Sequence, residues 1–392
     1  MRVLHVVENF SEDNYGVTTA LTELAGALRR SGHDVHILST AVRAHHPPSS
    51  LVTYAPLAKP RGLAWRYAPG FGQLFADALP DANLVHIHGV WMHPVLCAAR
   101  LSNRHSKPFI LSPHNMLSDY SWRHSFAKRI KKSVYWQFAR PDLERAAVVH
   151  ALSTLECAAI KQRFPHNPVV VIPNGIDVER VARYARDPVM PVRPYFAFLG
   201  RLDPVKGIEL LLESYAQLPR PRRIALRIAG PPSSPAYKAR LVVMMHRLGL
   251  SDDVTLEPGI DGKEKFRYLA ESWAVCLPSI SEGISCVALE AMACNAPIIT
   301  TPGSGLQSDA EGACVIAERG LTAFSGALSD AASWTMAERS RRAKASGNLA
   351  RHKYAWDQVV SSYICMYDDI IARAVHRGRR DDRACLVPSG GV

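Results

Sequence analysis

The run Ala274-Val-Cys-Leu277 is four apolar residues long and stops at Pro278-Ser279. A short apolar run bounded by a turn reads as a buried parallel strand, which has no solvated face to demand alternation. A polar loop with Glu282 and Gly283 follows, then a segment offering Val287, Leu289, Ala291 and Met292 to a core. Asn295 ends that segment, and Pro297-Ile-Ile299 reads as the next strand. Strand, loop, helix and strand in so short a length permit few architectures, because the helix must cross a face of a parallel sheet. In such sheets ligands bind at the loops that leave the strands' carboxyl ends. This loop holds a carboxylate, a glycine that admits close backbone approach, and the amino end of a helix.

The same alternation runs through the chain. Val3–Val7 is a strand, Val17–Arg30 a helix with Leu21, Leu24, Ala25 and Leu28 on one face, and Val35–Leu38 a second strand after Gly32. Further strands are expected at Leu84–His88, Phe109–Ser112, Ala147–His150 and Val169–Ile172. Residues 181–194, with Pro188, Pro191 and Pro194, read as a linker. The pattern then restarts at Tyr195–Leu199, Ile224–Ala229 and Val254–Glu257. The expected organisation is α/β with two Rossmann-like, doubly wound parallel-sheet domains, at 1–185 and 195–350. A helix at 354–375 follows, and 377–392, charged and then Gly/Ser-rich, is expected to be disordered.

Composition closes off several classes. No stretch of about 18 uninterrupted apolar residues is present, and the first residues are too short an apolar run for a signal peptide. The eight cysteines are scattered with no Cys-x-x-Cys pair, so neither zinc nor a disulfide framework is indicated, and reduced thiols in a cytoplasmic protein are expected. The net charge is +12, and residues 1–190 carry 22 Lys/Arg against 14 Asp/Glu, a net of +8. That excess suits an anionic substrate or an anionic membrane surface. No nucleic-acid-binding motif accompanies it, and no nucleic-acid partner is expected.

Two motifs carry the chemistry. Gly200-Arg201-Leu-Asp-Pro-Val-Lys206-Gly207 places two cations on a Gly-bounded loop at a helix amino end, an arrangement suited to a diphosphate. Downstream, Glu282 and Glu290 sit one in a loop and one about two turns into a helix. Together with Pro173-Asn-Gly-Ile-Asp177, these frames resemble the retaining glycosyltransferases of the GT-B fold, family 4, the glycosyl transferases group 1 of bacterial polysaccharide synthesis. Pro113-His114-Asn115-Met116-Leu117 is similar to that family's His-Gly-Met-Leu loop, with Asn115 in the glycine's place. Asn tolerates left-handed backbone angles, so the replacement keeps the turn.

The resemblance implies two domains facing a central cleft, with the 354–375 helix returning to the first. It implies transfer of a hexose from a UDP- or GDP-sugar to a hydroxyl, the acceptor a saccharide or lipid-linked saccharide. Arg201 and Lys206 would stabilise the leaving diphosphate. Glu282, with backbone at Gly283, Ile284 and Ser285, would position the sugar, and His114 would sit by the anomeric centre. Glu290 would bind the ribose, Ile260 the base by its backbone, and Gly16 and Gly230 would admit the donor. Gln307 and Ser308 stand where a glutamate is frequent in the family. No cofactor and no metal are implied, in keeping with the missing Asp-x-Asp motif. The rivals are a GT-B nucleotide-sugar epimerase and a non-catalytic scaffold that binds sugar nucleotides.

Two segments remain open. His86 and His88 share one strand face with His93 beyond, but the three are not expected to form a metal site, so one imidazole is read as core and His88 as lining the cleft with Asn115 on the acceptor side. Between Ser121 and Arg140, Trp122, Phe126, Ile130, Val134 and Phe138 recur every four residues among Arg123, Lys128, Arg129, Lys131 and Lys132. Such a helix either packs its stripe on the sheet or lies on an anionic membrane, at the inner face of a plasma membrane.

Overall fold

A computed structural model of the chain describes residues 1–10, 15–41, 51–57, 65–123, 126–185, 191–306 and 312–384. The chain divides into two compact units. The first holds Met1–Ala151, Cys157–Ile172 and Val360–Val392, and the second Leu152–Glu156 and Pro173–Val359.

In the first unit β1 (Arg2–Val7), α1 (Tyr15–Arg30), β2 (Asp34–Ala41) and β3 (Val52–Pro56) wind one way. They are followed by α2 (Phe71–Ala78), β4 (Leu84–His88), α3 (His93–Arg104), β5 (Phe109–Ser112), α4 (Asp119–Arg123), α5 (Phe126–Leu143), β6 (Val148–Ala151), α6 (Thr154–Arg163) and β7 (Val169–Val171). The sheet order is β3-β2-β1-β4-β5-β6-β7, every pairing parallel. The winding reverses between β1 and β4, so their carboxyl ends, at Glu8 and Gly89, flank the switch point. Leu21, Leu24, Ala25 and Leu28 are buried, as the spacing of α1 requires.

The second unit continues with α7 (Val178–Tyr184), β8 (Tyr195–Leu199), α8 (Ile208–Ala216), β9 (Ala225–Ala229), α9 (Pro235–Arg247), β10 (Val254–Glu257), α10 (Gly262–Ala270) and β11 (Ala274–Leu277). Then come α11 (Cys286–Ala293), β12 (Ile298–Thr300), β13 (Cys314–Ile316), α12 (Leu321–Ala332), α13 (Met336–Leu349) and α14 (Trp356–Ala384). The order β10-β9-β8-β11-β12-β13 is again parallel, with its switch point between β8 and β11. Asn295 closes α11 at a φ of 55°, the left-handed turn that Asn tolerates.

Three features differ from the sequence reading. The second unit starts at Pro173, ahead of the Pro-rich stretch, because α7 buries Val181 in that unit's core. The described residues of 121–140 are helical, but α5 has two apolar faces rather than one. Trp136, Ala139 and Leu143 are buried beside Trp122, whereas Phe126 is 78% exposed and Phe138 68%. The core takes the aromatic cluster of Trp91, Trp122, Trp136 and Phe164, and the four-residue stripe points roughly the other way. Finally, α14 continues to Ala384, past Arg377, since a charged sequence with no proline can prolong a helix. Residues 385–392, and Gln307 and Ser308, lie outside the described residues.

Candidate functional site

In the second unit the loops leaving β8, β11 and β12 are stapled together. Asp203 caps a single 3₁₀ turn, Pro204–Lys206, by accepting from the Val205 amide. Gly207 then takes φ 71°, where a Cβ would overlap the Pro278 carbonyl oxygen, so glycine is required both by angle and by space. Ile280 N donates to Val205 O at 2.8 Å, Glu282 N to Gly303 O at 2.7 Å and Ser285 N to Ser304 O at 2.9 Å. These bonds hold Lys206 against Glu282, with Nζ 2.5 Å from Oε2. Ser279 donates to the other carboxylate oxygen. The side chains are 22% and 13% exposed, so the pair is shielded yet reachable. Arg201, 59% exposed, stands on the same loop 3.8 Å from Asp203. A lysine and an exposed arginine over a helix amino end can grip an anion while Glu282 is aimed by its two partners.

Glu290 is 8% exposed in α11 and meets Lys265 of α10, Nζ to Oε1 2.7 Å. The sequence reading missed Lys265; its only signal is a basic residue in the first turns after the Ile260-Asp261 loop. Ile260 itself is half-buried, and Gly230, at φ 154°, packs where a Cβ would overlap the Gly200 carbonyl. Gly283 and Ile284 are buried in the loop, Gly283 against Leu152 and Glu156. Ser285 differs from expectation: its amide serves Ser304 and its hydroxyl accepts from the Ala288 amide as the helix cap, so it has no amide to offer a sugar.

In the first unit His114 and Asn115 both have left-handed backbones, φ 51° and 62°, in the loop after β5. His114 Nε2 lies 2.8 Å from His88 Nδ1, and His88 Nε2 lies 2.9 Å from His5 Nδ1. His88 is therefore not a cleft residue. It is 3% exposed, because the alternation of β4 turns it inward beside His86 and the loop brings His114 over it. Burial lowers the imidazoles: His5 and His114 to about 3, His150 to about 4, and His86 and His88 well below the ordinary range. His93 stands apart, between Trp65 and Tyr67. His5 takes its place near His86 and His88, with ligand-type atoms within 4.8 Å of one another. Gly16 lies in the first turn of α1, and a Cβ there would meet nothing, so space alone does not require glycine. Glu8, at the end of β1, was also missed. Its Oε2 is buried without a hydrogen-bond partner among the described residues, and burial raises its pKa against the lowering effect of Arg66.

Two doubly wound parallel sheets, one carrying a cation-lined loop and a paired carboxylate at its switch point, define the GT-B class of glycosyltransferases. A family model described as Glycosyltransferase Family 4 matches residues 15–180, and one described as Glycosyl transferases group 1 matches 189–344. The chain belongs to this family. The D-inositol 3-phosphate glycosyltransferase of Xylanimonas cellulosilytica is 23% identical over 411 residues, 93% of each chain. That of Actinosynnema mirum is 26% identical, covering 93% of this chain and 94% of its own. Sucrose-phosphate synthase from Thermosynechococcus elongatus superposes with TM-score 0.73 at 19% identity, over 95% of this chain and 100% of the other. Anabaena HepE in complex with UDP and glucose gives 0.72 at 17%, over 94% and 100%.

Proposed function

We propose that this glycosyltransferase moves a hexose, with retention, from a UDP- or GDP-sugar to a hydroxyl of a lipid-linked saccharide in surface-polysaccharide assembly. The observation that carries the donor half is the Lys206–Glu282 pair at the switch point of the second sheet, together with the Lys265–Glu290 pair of the same unit. Arg201 and Lys206 take the diphosphate, whose charge grows as the sugar leaves. Glu282 and the Gly283–Ile284 backbone position the sugar, Glu290 binds the ribose, Ile260 and Gly230 flank the nucleotide, and His114 meets the sugar from the loop it shares with Asn115. The C1–phosphate bond breaks as the C1–acceptor bond forms on the same face, and the departing phosphate oxygen takes the acceptor's proton. The two cations serve the diphosphate without a metal, which suits a chain lacking an Asp-x-Asp motif. The HepE structure with UDP and glucose supports a uridine donor.

The lipid-linked acceptor is supported by α5. Its outward stripe, Phe126, Ile130, Val134 and Phe138, is flanked by exposed Arg129, Lys131 and Arg140, the pattern of a helix lying on an anionic surface. We place the enzyme on the cytoplasmic face of the membrane on that ground. Among the described residues no helix is long and apolar enough to cross a membrane.

The test is turnover of UDP- and GDP-hexoses against lipid-linked saccharides and inositol 3-phosphate, with the product's anomeric configuration read by NMR. Glu282→Gln should remove most turnover and leave nucleotide affinity within a few-fold. An unchanged rate would sink its role, and a new sugar nucleotide formed without acceptor would make the protein an epimerase.

A further inference from the structure

Three imidazoles of the first unit stand in line. His5 Nδ1 faces His88 Nε2 at 2.9 Å and His88 Nδ1 faces His114 Nε2 at 2.8 Å, with ring planes within 19° and 24° of parallel. At the inner end His5 Nε2 is buried and has no partner among the described residues. At the outer end His114 is half-buried.

The protons in this line can be counted. All three rings are neutral near pH 7, since burial depresses each, so the line holds three N–H protons. Each of the two N···N bonds uses one. The third must sit at an end, either on His5 Nε2 or on His114 Nδ1. On His5 Nε2 it would be a buried donor with nothing to accept it, the rarer and costlier kind of orphan. On His114 Nδ1 it faces outward, where a ligand or water can accept it. The arrow therefore runs outward: His5 Nδ1–H to His88 Nε2, His88 Nδ1–H to His114 Nε2, and His114 Nδ1–H beyond.

The neighbouring line shows why His86 takes no part. His150 Nε2 must donate to the Ile172 carbonyl at 2.8 Å, which leaves its Nδ1 to accept from Ser112, 2.7 Å away. Ser112 in turn accepts from His86 Nε2, and His86 Nδ1 accepts from the Tyr367 hydroxyl, both at 2.7 Å. With both nitrogens of His86 committed, the His5–His86–His88 group lacks a third ligand for a metal. The left-handed backbones of His114 and Asn115 are strained and persist only where the surroundings hold them. The His88 bond is such a hold.

We propose that His88, backed by His5, is a positioning residue: it keeps His114 in the Nδ1–H tautomer, so that the loop presents a neutral hydrogen-bond donor to the sugar. This rests on the reading that His114 meets the donor sugar. A neutral donor binds a sugar oxygen without setting a positive charge beside an anomeric carbon that itself becomes cation-like as the phosphate leaves.

The test is a long-range 15N–1H spectrum of the imidazole nitrogens in the full-length protein, together with His88→Leu and His88→Asn. The wild type should show His114 protonated on Nδ1 and bare on Nε2. His88→Leu should leave His114 exchanging between tautomers and lower kcat about tenfold or more with nucleotide Kd unchanged. His88→Asn, whose amide can donate from the same place, should restore most of the rate. Wild-type His114 protonated on Nε2, one zinc per chain bound by His5 and His88, or an Asn variant as slow as the Leu variant at equal Tm would each overturn the proposal. Wild-type turnover by His114→Ala would instead overturn the contact between His114 and the sugar, while the tautomer measurement stands on its own.

Discussion

Lys206 and Glu282 are 76 residues apart and share a contact that each loop alone would leave as an unbalanced charge. Lys206→Ala removes one charge-assisted bond to a diphosphate and leaves a carboxylate only 13% exposed to repel it. Calorimetry should show UDP or GDP binding about ten- to a hundred-fold weaker, the ~1.5–3 kcal/mol of one such bond. Wild-type affinity would refute the phosphate role. Gly207→Ala forces a Cβ into the Pro278 carbonyl at a positive φ, and should cost about 2–4 kcal/mol by urea denaturation. Arg201, Lys206, Glu282 and Glu290 were legible because each sits in a frame of loop and helix residues a few positions long. Lys265 and His5 were not, since nothing within ten residues of either signals its partner, Glu290 or His88. His88 was misread because period-two alternation says which face a side chain takes but not what lies over that face.

At the scale of the element, α5 and the histidine-bearing strands behave differently from their local patterns. The four-residue periodicity of α5 was plain, yet periodicity cannot say which of two apolar faces the core will take. The wider aromatic cluster won, and the stripe was left outside. Phe126→Ser with Phe138→Ser should cut co-sedimentation with phosphatidylglycerol vesicles several-fold while leaving Tm unchanged, and about 0.5 M salt should weaken wild-type binding to those vesicles. Equal binding to neutral phosphatidylcholine vesicles by both proteins would rule out the stripe as the contact. The strands β1, β4 and β6 and the loop after β5 carry five imidazoles whose folded pKa values lie below the unfolded value. The unfolded chain therefore binds protons first as pH falls. Stability is complete above about pH 6.5 and declines from there down through about pH 3–4, where His5, His114 and His150 titrate in the folded state. Between about pH 7.5 and about pH 4.5, Tm should fall by at least about 5 °C, and less steeply in His5→Phe. A flat profile would mean that these rings are solvated.

For the whole molecule, a nucleotide that binds the folded second unit must raise its melting temperature. At about a hundred-fold excess over Kd the linkage is worth ~2.7 kcal/mol, a shift of several degrees that Lys206→Ala should largely abolish. No shift with UDP, GDP or ADP in the wild type would remove the donor site. The sequence by itself determined most of the succession of strands and helices, though not β3 or β13, together with the two doubly wound sheets and the two motif-bearing loops of the second unit. Those features depend on hydrophobic period and turn chemistry, which act over a few residues. Only the tertiary structure decided that Lys206 meets Glu282, that Lys265 meets Glu290, and that His5, His88 and His114 form one line across 83 and 26 residues of chain. Partners at such separations follow from strand order and from which face each strand turns to the core, and neither is written in any one stretch of the chain.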